Sequence, residues 1–349
     1  MHPGFRTSGS AAGLSVLLVV LLGLPLVTYW VGHTPREQAL AGMSDAAGPV
    51  GVQVREIFRD PSNADVLFLG SSLVRAAIDT PIVEKALSMR LGRPAHVEML
   101  ALNWQGMDLQ YFLLRDYLKT HRAGLVLWNL PVPGSRNLEP HIEAFRWVRF
   151  GEYSDALFGL SLPYRLALYS DMVLGAPREL LAHLRPNLLS TEELELQIAS
   201  QRSGYYGQPF VPELVDSVPT PTLEQSLQEP PYSLVQAAGK PLNSYEYHFA
   251  MKILELAKET HTKIVLLHIP IDSEQGLDYI PERSRWDDSL HLDAPMIGTT
   301  SDVLFNGVSK ERVHNFYRDQ HMNMNGSELF TRDIVPAILH VYSDKDIHE

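Results

Sequence analysis

The chain has no cysteine among its 349 residues. Disulfide bonds, cysteine-held iron–sulfur clusters and a thiol nucleophile are therefore excluded. The sequence also lacks a Lys/Arg-rich block, and its formal net charge is -12 at pH 7. Because a nucleic-acid-binding face needs a basic stripe, the composition predicts no nucleic-acid partner.

Two kinds of site motif are missing as well. The sequence contains no His-Glu-x-x-His pattern and no glycine-rich phosphate loop, and its histidines are scattered rather than grouped at metal-ligand spacing. The sequence therefore predicts neither a catalytic metal nor a cofactor.

One long uncharged run lies near the amino terminus. Residues 13–32 are 20 consecutive residues without a charge, which is long enough to cross a bilayer as a helix. They predict a single-pass membrane anchor behind a cytoplasmic tail of residues 1–12. A cleaved signal peptide is the alternative, because Ala39-Leu40-Ala41 offers small residues at a cleavage position. Under either interpretation the rest of the chain is exported. Residues 33–60 are predicted to form a tether and a short helix.

Residues 61–349 are predicted to form one α/β domain. Apolar runs of strand length alternate with stretches of helical periodicity, which is typical of a parallel sheet covered by helices on both faces. The predicted strands are 65–70, 96–102, 124–131 and 263–270, and the predicted helices are 80–91, 107–121, 243–260 and 326–342. Residues 134 to about 242 interrupt this order as an aromatic- and proline-rich insertion.

Polar residues follow the carboxyl ends of these strands, where open α/β sheets bind their ligands. Gly70-Ser71-Ser72 ends the first strand, Asn103 and Gly106 follow the second, and Asn129 ends the third. Asp319 and His321 lie in the loop before the last helix. In an extended loop, a step of two residues would put both of these side chains on one side.

Each of these residues also has an ordinary structural explanation. Ser72 is a good helix N-cap, and Gly106 is a common residue at a helix start. Asn129 could satisfy backbone groups. Glu311 and His314 form a competing acid–histidine pair, although their segment has the composition of an exposed helical turn.

Taken in order, these blocks resemble the SGNH/GDSL hydrolase superfamily. The resemblance implies a flavodoxin-like, three-layer fold and puts Ser72 in the nucleophile position. It further implies that His321 is the base and Asp319 its acid, with Gly106 and Asn129 as oxyanion donors; Asn103 is an alternative to Asn129. Two details resemble the membrane-anchored branch of this superfamily: Ser71 in the Gly70-Ser71-Ser72 turn, and the Asp-x-His spacing of Asp319 and His321. That branch includes alginate O-acetylation and teichoic-acid D-alanylation proteins.

That branch implies an O-acyltransferase, most simply an O-acetyltransferase, that acts on a cell-envelope or extracellular polysaccharide. It implies a domain on the periplasmic side of a bacterial inner membrane, held by the amino-terminal helix beside a multi-span membrane-bound O-acyltransferase partner. Two alternatives stay open. One is a carbohydrate esterase or lipase-like hydrolase with the same triad, and the other is a catalytically silent assembly subunit.

Overall fold

The computed structural model describes residues 8–31, 36–41, 43, 48–103, 106–129, 161–163, 165–166, 210–228, 244–276 and 296–342. The chain divides into two compact units. The first consists of residues 1–43 and 142–188, and the second of residues 44–141 and 189–349. Most of the predicted insertion, residues 134–242, lies outside the described residues.

The first unit contains helices α1 (Ser8–Val31) and α2 (Arg36–Ala41). Helix α1 overlaps the uncharged run for which the sequence predicts a membrane anchor. Among the residues whose side chains are described, no helix is long and apolar enough to cross a membrane.

The second unit contains the α/β domain. Its helices, in chain order, are α3 (Val50–Val54), α4 (Ser72–Ala77), α5 (Thr80–Leu91), α6 (Met107–Leu118), α7 (Pro212–Asp216), α8 (Leu223–Ser226), α9 (Ser244–Glu259), α10 (Ser301–Leu304), α11 (Lys310–Val313) and α12 (Met324–Val341). A π-helical turn (Arg55–Arg59) continues α3, and 3₁₀ turns cover Asp272–Glu274 and His314–Phe316.

Its strands are β1 (Ala64–Ser71), β2 (Val97–Leu102), β3 (Ala123–Asn129), β4 (Leu227–Gln228), β5 (Lys263–Leu267), β6 (Met296–Ile297), β7 (Tyr317–Arg318) and β8 (His321–Met322). Six of them form one sheet in the order β2-β1-β3-β5-β6-β4. Five are parallel, and β4 joins β6 antiparallel. Strands β7 and β8 form a separate hairpin.

The sheet is covered on both faces. Because side chains alternate along a strand, Val66 and Phe68 of β1 point to one face, where they join a buried cluster with residues of α4, α5 and α12. Their neighbour Leu67 points to the other face, on the side of α6 and α9. There the rings of Phe112 (α6) and Phe249 (α9) lie 6.0 Å apart.

The predicted alternation of strands and helices is confirmed. The arrangement is α/β with a five-stranded parallel sheet flanked by helices, and it is compatible with a flavodoxin-like fold. The strand order reverses between β1 and β3, and the edge beyond their carboxyl ends is the usual ligand position in such sheets.

Candidate active site

Ser72 and His321 meet at the carboxyl edge of the sheet. The Ser72 Oγ lies 2.9 Å from Nε2 of His321, across a separation of 249 residues in the chain. Ser72 is the first residue of α4 and is buried, while His321 begins β8 and is half-buried. This is the distance at which an imidazole can take the proton of a serine hydroxyl.

The hydroxyls of Ser71, the last residue of β1, and Ser72, the first residue of α4, make different contacts. Ser71, not Ser72, is the N-cap of α4, because the Ser71 Oγ accepts a hydrogen bond of 3.4 Å from the backbone N–H of Leu73. The ordinary explanation of Ser72 as the helix cap is therefore wrong. The hydroxyl of Ser72 faces the imidazole instead.

Gly70 makes the sharp passage from β1 into α4 possible. A Cβ on Gly70 would lie 2.2 Å from Cγ2 of Val74 and 3.2 Å from Cβ of Asn129. Neither separation leaves room for a side chain, because packed carbon atoms sit about 3.5–4.0 Å apart. The glycine lets the first turn of α4 fold tightly over the end of the strand, which fixes the position of Ser72.

The surroundings of His321 favour the neutral imidazole. Burial is the main cause that lowers the pKa of His321 below its usual 6.5, and the positive charge of Arg75 lowers it further. The negative charge of Asp319 acts in the opposite direction. A neutral imidazole whose Nε2 carries no proton can accept a proton from Ser72.

Arg75 is a site residue that no sequence motif predicts. It lies three residues after Ser72 on α4, is almost fully buried, and donates a hydrogen bond of 2.6 Å from Nη2 to Oδ1 of Asn103. An arginine in the otherwise apolar segment Leu73–Ile78 was the available signal. Such a buried guanidinium needs a polar partner, and that partner lies at this edge of the sheet.

Strand register places Asn103 and Asn129 on opposite sides of the end of β1, because β2 and β3 are its two neighbours in the sheet. Ser71 pairs with Leu102 across β1 and β2, so Ser72 and Asn103 leave the sheet at the same level. Asn129 is paired with Leu267 of β5, and its Nδ2 donates a hydrogen bond of 2.9 Å to the Leu267 carbonyl. Asn129 thus already uses one amide hydrogen within the sheet.

Gly106 is buried at the N-cap of α6, after the carboxyl end of β2. Its backbone φ of -83° is one that any residue adopts. The position at a helix start leaves backbone N–H groups available for an anion, because the first N–H groups of a helix have no partner within that helix.

Asp319 does not lie in an extended loop as predicted. It is the first of two loop residues between β7 and β8, and its φ of 55° turns the chain sharply into the hairpin. Asp319 is exposed, and within the described residues it makes no hydrogen bond to His321. The competing histidine, His314, contacts Asp272 instead, with 2.9 Å between Nδ1 and Oδ2.

Comparisons with known proteins add no assignment. No protein-family model matches the chain. No curated protein matches it significantly either.

Proposed function

We propose that the chain is a serine-dependent acyl-transfer enzyme of SGNH type. The contact of 2.9 Å between Ser72 Oγ and His321 Nε2 is the single observation that carries the proposal. Burial of Ser72, partial burial of His321 and the lowered pKa of His321 support it, since a base that is neutral near pH 7 can activate the hydroxyl.

The reaction has two halves. Ser72 Oγ attacks the carbonyl carbon of an acyl donor as its proton passes to Nε2 of His321, and the tetrahedral oxyanion collapses when the leaving oxygen takes that proton back. An acceptor hydroxyl then attacks the acyl-serine in the same way and restores Ser72. A sugar hydroxyl as acceptor gives transfer, and water gives hydrolysis.

The oxyanion needs N–H donors on the side of Ser72 away from the base. We propose the backbone N–H of Gly106 and the amide of Asn103 as these donors, with Asn129 as the alternative to Asn103. Arg75 donates a hydrogen bond to the carbonyl oxygen of Asn103 and so fixes which way its amide group is turned. Each such donor contributes about 3 kcal/mol to the transition state in comparable enzymes.

The nature of the acyl group and acceptor follows from the sequence resemblance. We propose an O-acetyl group and a cell-envelope polysaccharide, with the domain exported and tethered through residues 13–32 beside a multi-span acyltransferase. The carbohydrate esterase alternative uses the same steps, but water replaces the sugar hydroxyl as the acceptor.

Labelling with a fluorophosphonate probe tests the chemistry. The probe should attach to Ser72, as mapped by peptide mass spectrometry, and His321→Ala should reduce the labelling rate at least a hundredfold. His314→Ala is the matched control and should label normally, because that exposed imidazole pairs with Asp272. A native chain that does not label, or a His321→Ala chain that labels at the native rate, would identify a silent scaffold.

A second measurement separates transfer from hydrolysis. The native chain should release p-nitrophenol from p-nitrophenyl acetate, and an added oligosaccharide should appear as an acetylated product. Release that leaves every added sugar unmodified would favour the esterase.

A further inference from the structure

Four metal-ligating side chains lie together at the opposite edge of the sheet from Ser72. Glu56, Asp60, His96 and Glu98 each offer one ligand atom, and these atoms all lie within 4.8 Å of one another. Glu98 is the second residue of β2, near its amino end, whereas the candidate active site follows the carboxyl end of that strand. The mechanism proposed above uses none of the four.

The backbone builds this cluster from two separate segments. The π-helical turn carries Glu56, and the backbone N–H of Asp60 donates a hydrogen bond of 2.8 Å to the carbonyl of Arg55, five residues earlier. Turns of this width are rare in proteins, but those that occur are often found at functional sites. The second segment is the start of β2, where the Asp65 N–H of β1 donates a hydrogen bond of 2.8 Å to the His96 carbonyl.

One carboxylate oxygen in the cluster is buried without a partner. Glu56 is 3% exposed and Glu98 is 5% exposed. Arg55 ion-pairs with Oε1 of Glu56, but Oε2 of Glu56 has no hydrogen-bond partner among the described residues. A buried polar atom left unsatisfied costs about 1–3 kcal/mol, so a native fold rarely leaves one.

The neighbour of that carboxylate is a second carboxylate. The carboxyl groups of Glu56 and Glu98 are within hydrogen-bonding reach of one another. Two ionised carboxylates can only accept hydrogen bonds, so a proton or a cation must lie between them. His96 adds a metal-ligating nitrogen rather than a further oxygen, since its Nε2 contacts Oε1 of Glu98.

Charge favours a divalent cation at this position. The cluster has three carboxylates against the single guanidinium of Arg55, and its imidazole is a ligand only in the neutral form. The Ser62 N–H donates a hydrogen bond of 2.8 Å to Oδ1 of Asp60, which orients this carboxylate. A divalent ion would bring the formal charge of the group to neutrality.

We propose that Glu56, Asp60, His96 and Glu98 bind a divalent transition-metal ion, for which Zn²⁺ is the test ion because it accepts both imidazole and carboxylate ligands. The ion joins the π-helical turn to the edge strand β2, and its role is structural. No local ligand pattern marks this site in the sequence, because His96 lies 36 positions after Asp60.

Metal binding by the full chain tests the proposal. The purified chain, stripped with a chelator and dialysed, should bind one equivalent of Zn²⁺ by calorimetry. At a large excess over Kd, its Tm should rise by about 5 °C, since a ligand specific to the folded state stabilises that state. A stripped chain that binds neither Zn²⁺ nor Mn²⁺ and shows no rise in Tm would overturn the site.

Two variants locate the ion. Glu98→Gln should lose the metal-dependent rise in Tm, and its metal-free Tm should exceed that of the native chain because the amide can donate to Glu56. Asp60→Asn, at a half-buried position, should weaken Zn²⁺ binding at least tenfold.

Asp116→Asn is the matched control. It removes a buried carboxylate that is paired with Lys119 and lies outside the cluster, so Zn²⁺ binding should be unchanged. Native Zn²⁺ affinity in Glu98→Gln would contradict the assignment. Labelling of Ser72 by the fluorophosphonate probe is measured on the same samples, so failure of the metal site and failure of the proposed function are distinguishable.

Discussion

Arg75 and Asn103 are joined by a hydrogen bond of 2.6 Å between the guanidinium Nη2 and the amide Oδ1. The bond connects the first helix after β1 with the chain that follows β2. The same guanidinium lowers the pKa of His321 through its charge. One buried arginine therefore acts on two parts of the candidate site, the amide of Asn103 and the imidazole base.

Replacement of Arg75 should move the acidic limb of the pH–rate profile. The active form of His321 is neutral, so activity is lost as the pH falls through the pKa of this imidazole. Because Arg75 lowers that pKa, Arg75→Gln should shift the midpoint of the limb upward, toward 6.5. Arg75→Lys retains the charge and is the control. We expect to see the shift in the pH dependence of p-nitrophenyl acetate hydrolysis, and an unmoved midpoint in Arg75→Gln would contradict it.

Asp319→Asn should shift the same limb in the opposite direction. The charge of Asp319 raises the pKa of His321, so its removal should lower the midpoint. Asp319 is exposed, and exposed charges are weakly coupled in water. The fall in kcat should therefore be about tenfold, in contrast to roughly 10⁴ when the buried acid of a serine-protease triad is replaced. A loss of that larger size would indicate that Asp319 binds the imidazole directly during turnover.

Gly48→Ala should disturb the site through Arg75. Gly48 has a φ of +100°, and a Cβ there would lie 2.8 Å from Nη1 of Arg75. The substitution should slow labelling of Ser72 and also cost about 1–3 kcal/mol in the free energy of unfolding from backbone strain. Gly92→Ala is the control, because Gly92 has a φ of +66° and nothing within 4 Å of an added Cβ. Equal labelling rates in the two variants would show that Arg75 is not displaced.

Ser71→Ala and Ser72→Ala should separate stability from chemistry. Loss of the Ser71 cap should reduce the free energy of unfolding by about 1 kcal/mol in urea denaturation while Ser72 still labels. Ser72→Ala should abolish labelling with a smaller change in stability, since the Ser72 hydroxyl does not cap the helix. The reverse pattern would assign the nucleophile to Ser71.

The central elements could be predicted because burial imposes a plain pattern on them. All eight residues of β1 are buried, and between Asp65 and Ser71 they form the continuous apolar run Val66–Gly70. Helix α5 covers Thr80–Leu91, the bounds that the sequence predicts. Strands β4 and β6 have two residues each, and two residues are too few to show a strand periodicity in the sequence.

The site residues that directly follow a strand could be predicted from the sequence. Those whose position depends on how helices pack could not. Ser72 and Asn103 follow predicted strands, so sheet topology alone suggests that they are neighbours. Arg75 could not be assigned, because its partners are fixed only when α4 packs against the end of β2. Asp319 is exposed because it lies in the two-residue loop between β7 and β8. A loop this short has no periodicity that the sequence could show.

The separation of 249 residues between Ser72 and His321 has a consequence for biosynthesis. Contacts this distant in sequence form late, because a long loop must close before they contribute. At the usual rate of translation, roughly ten to fifty seconds pass between the synthesis of the two residues. Under the proposed mechanism, a ribosome-bound chain therefore carries Ser72 without its base, and Ser72 becomes reactive only after the final hairpin has docked.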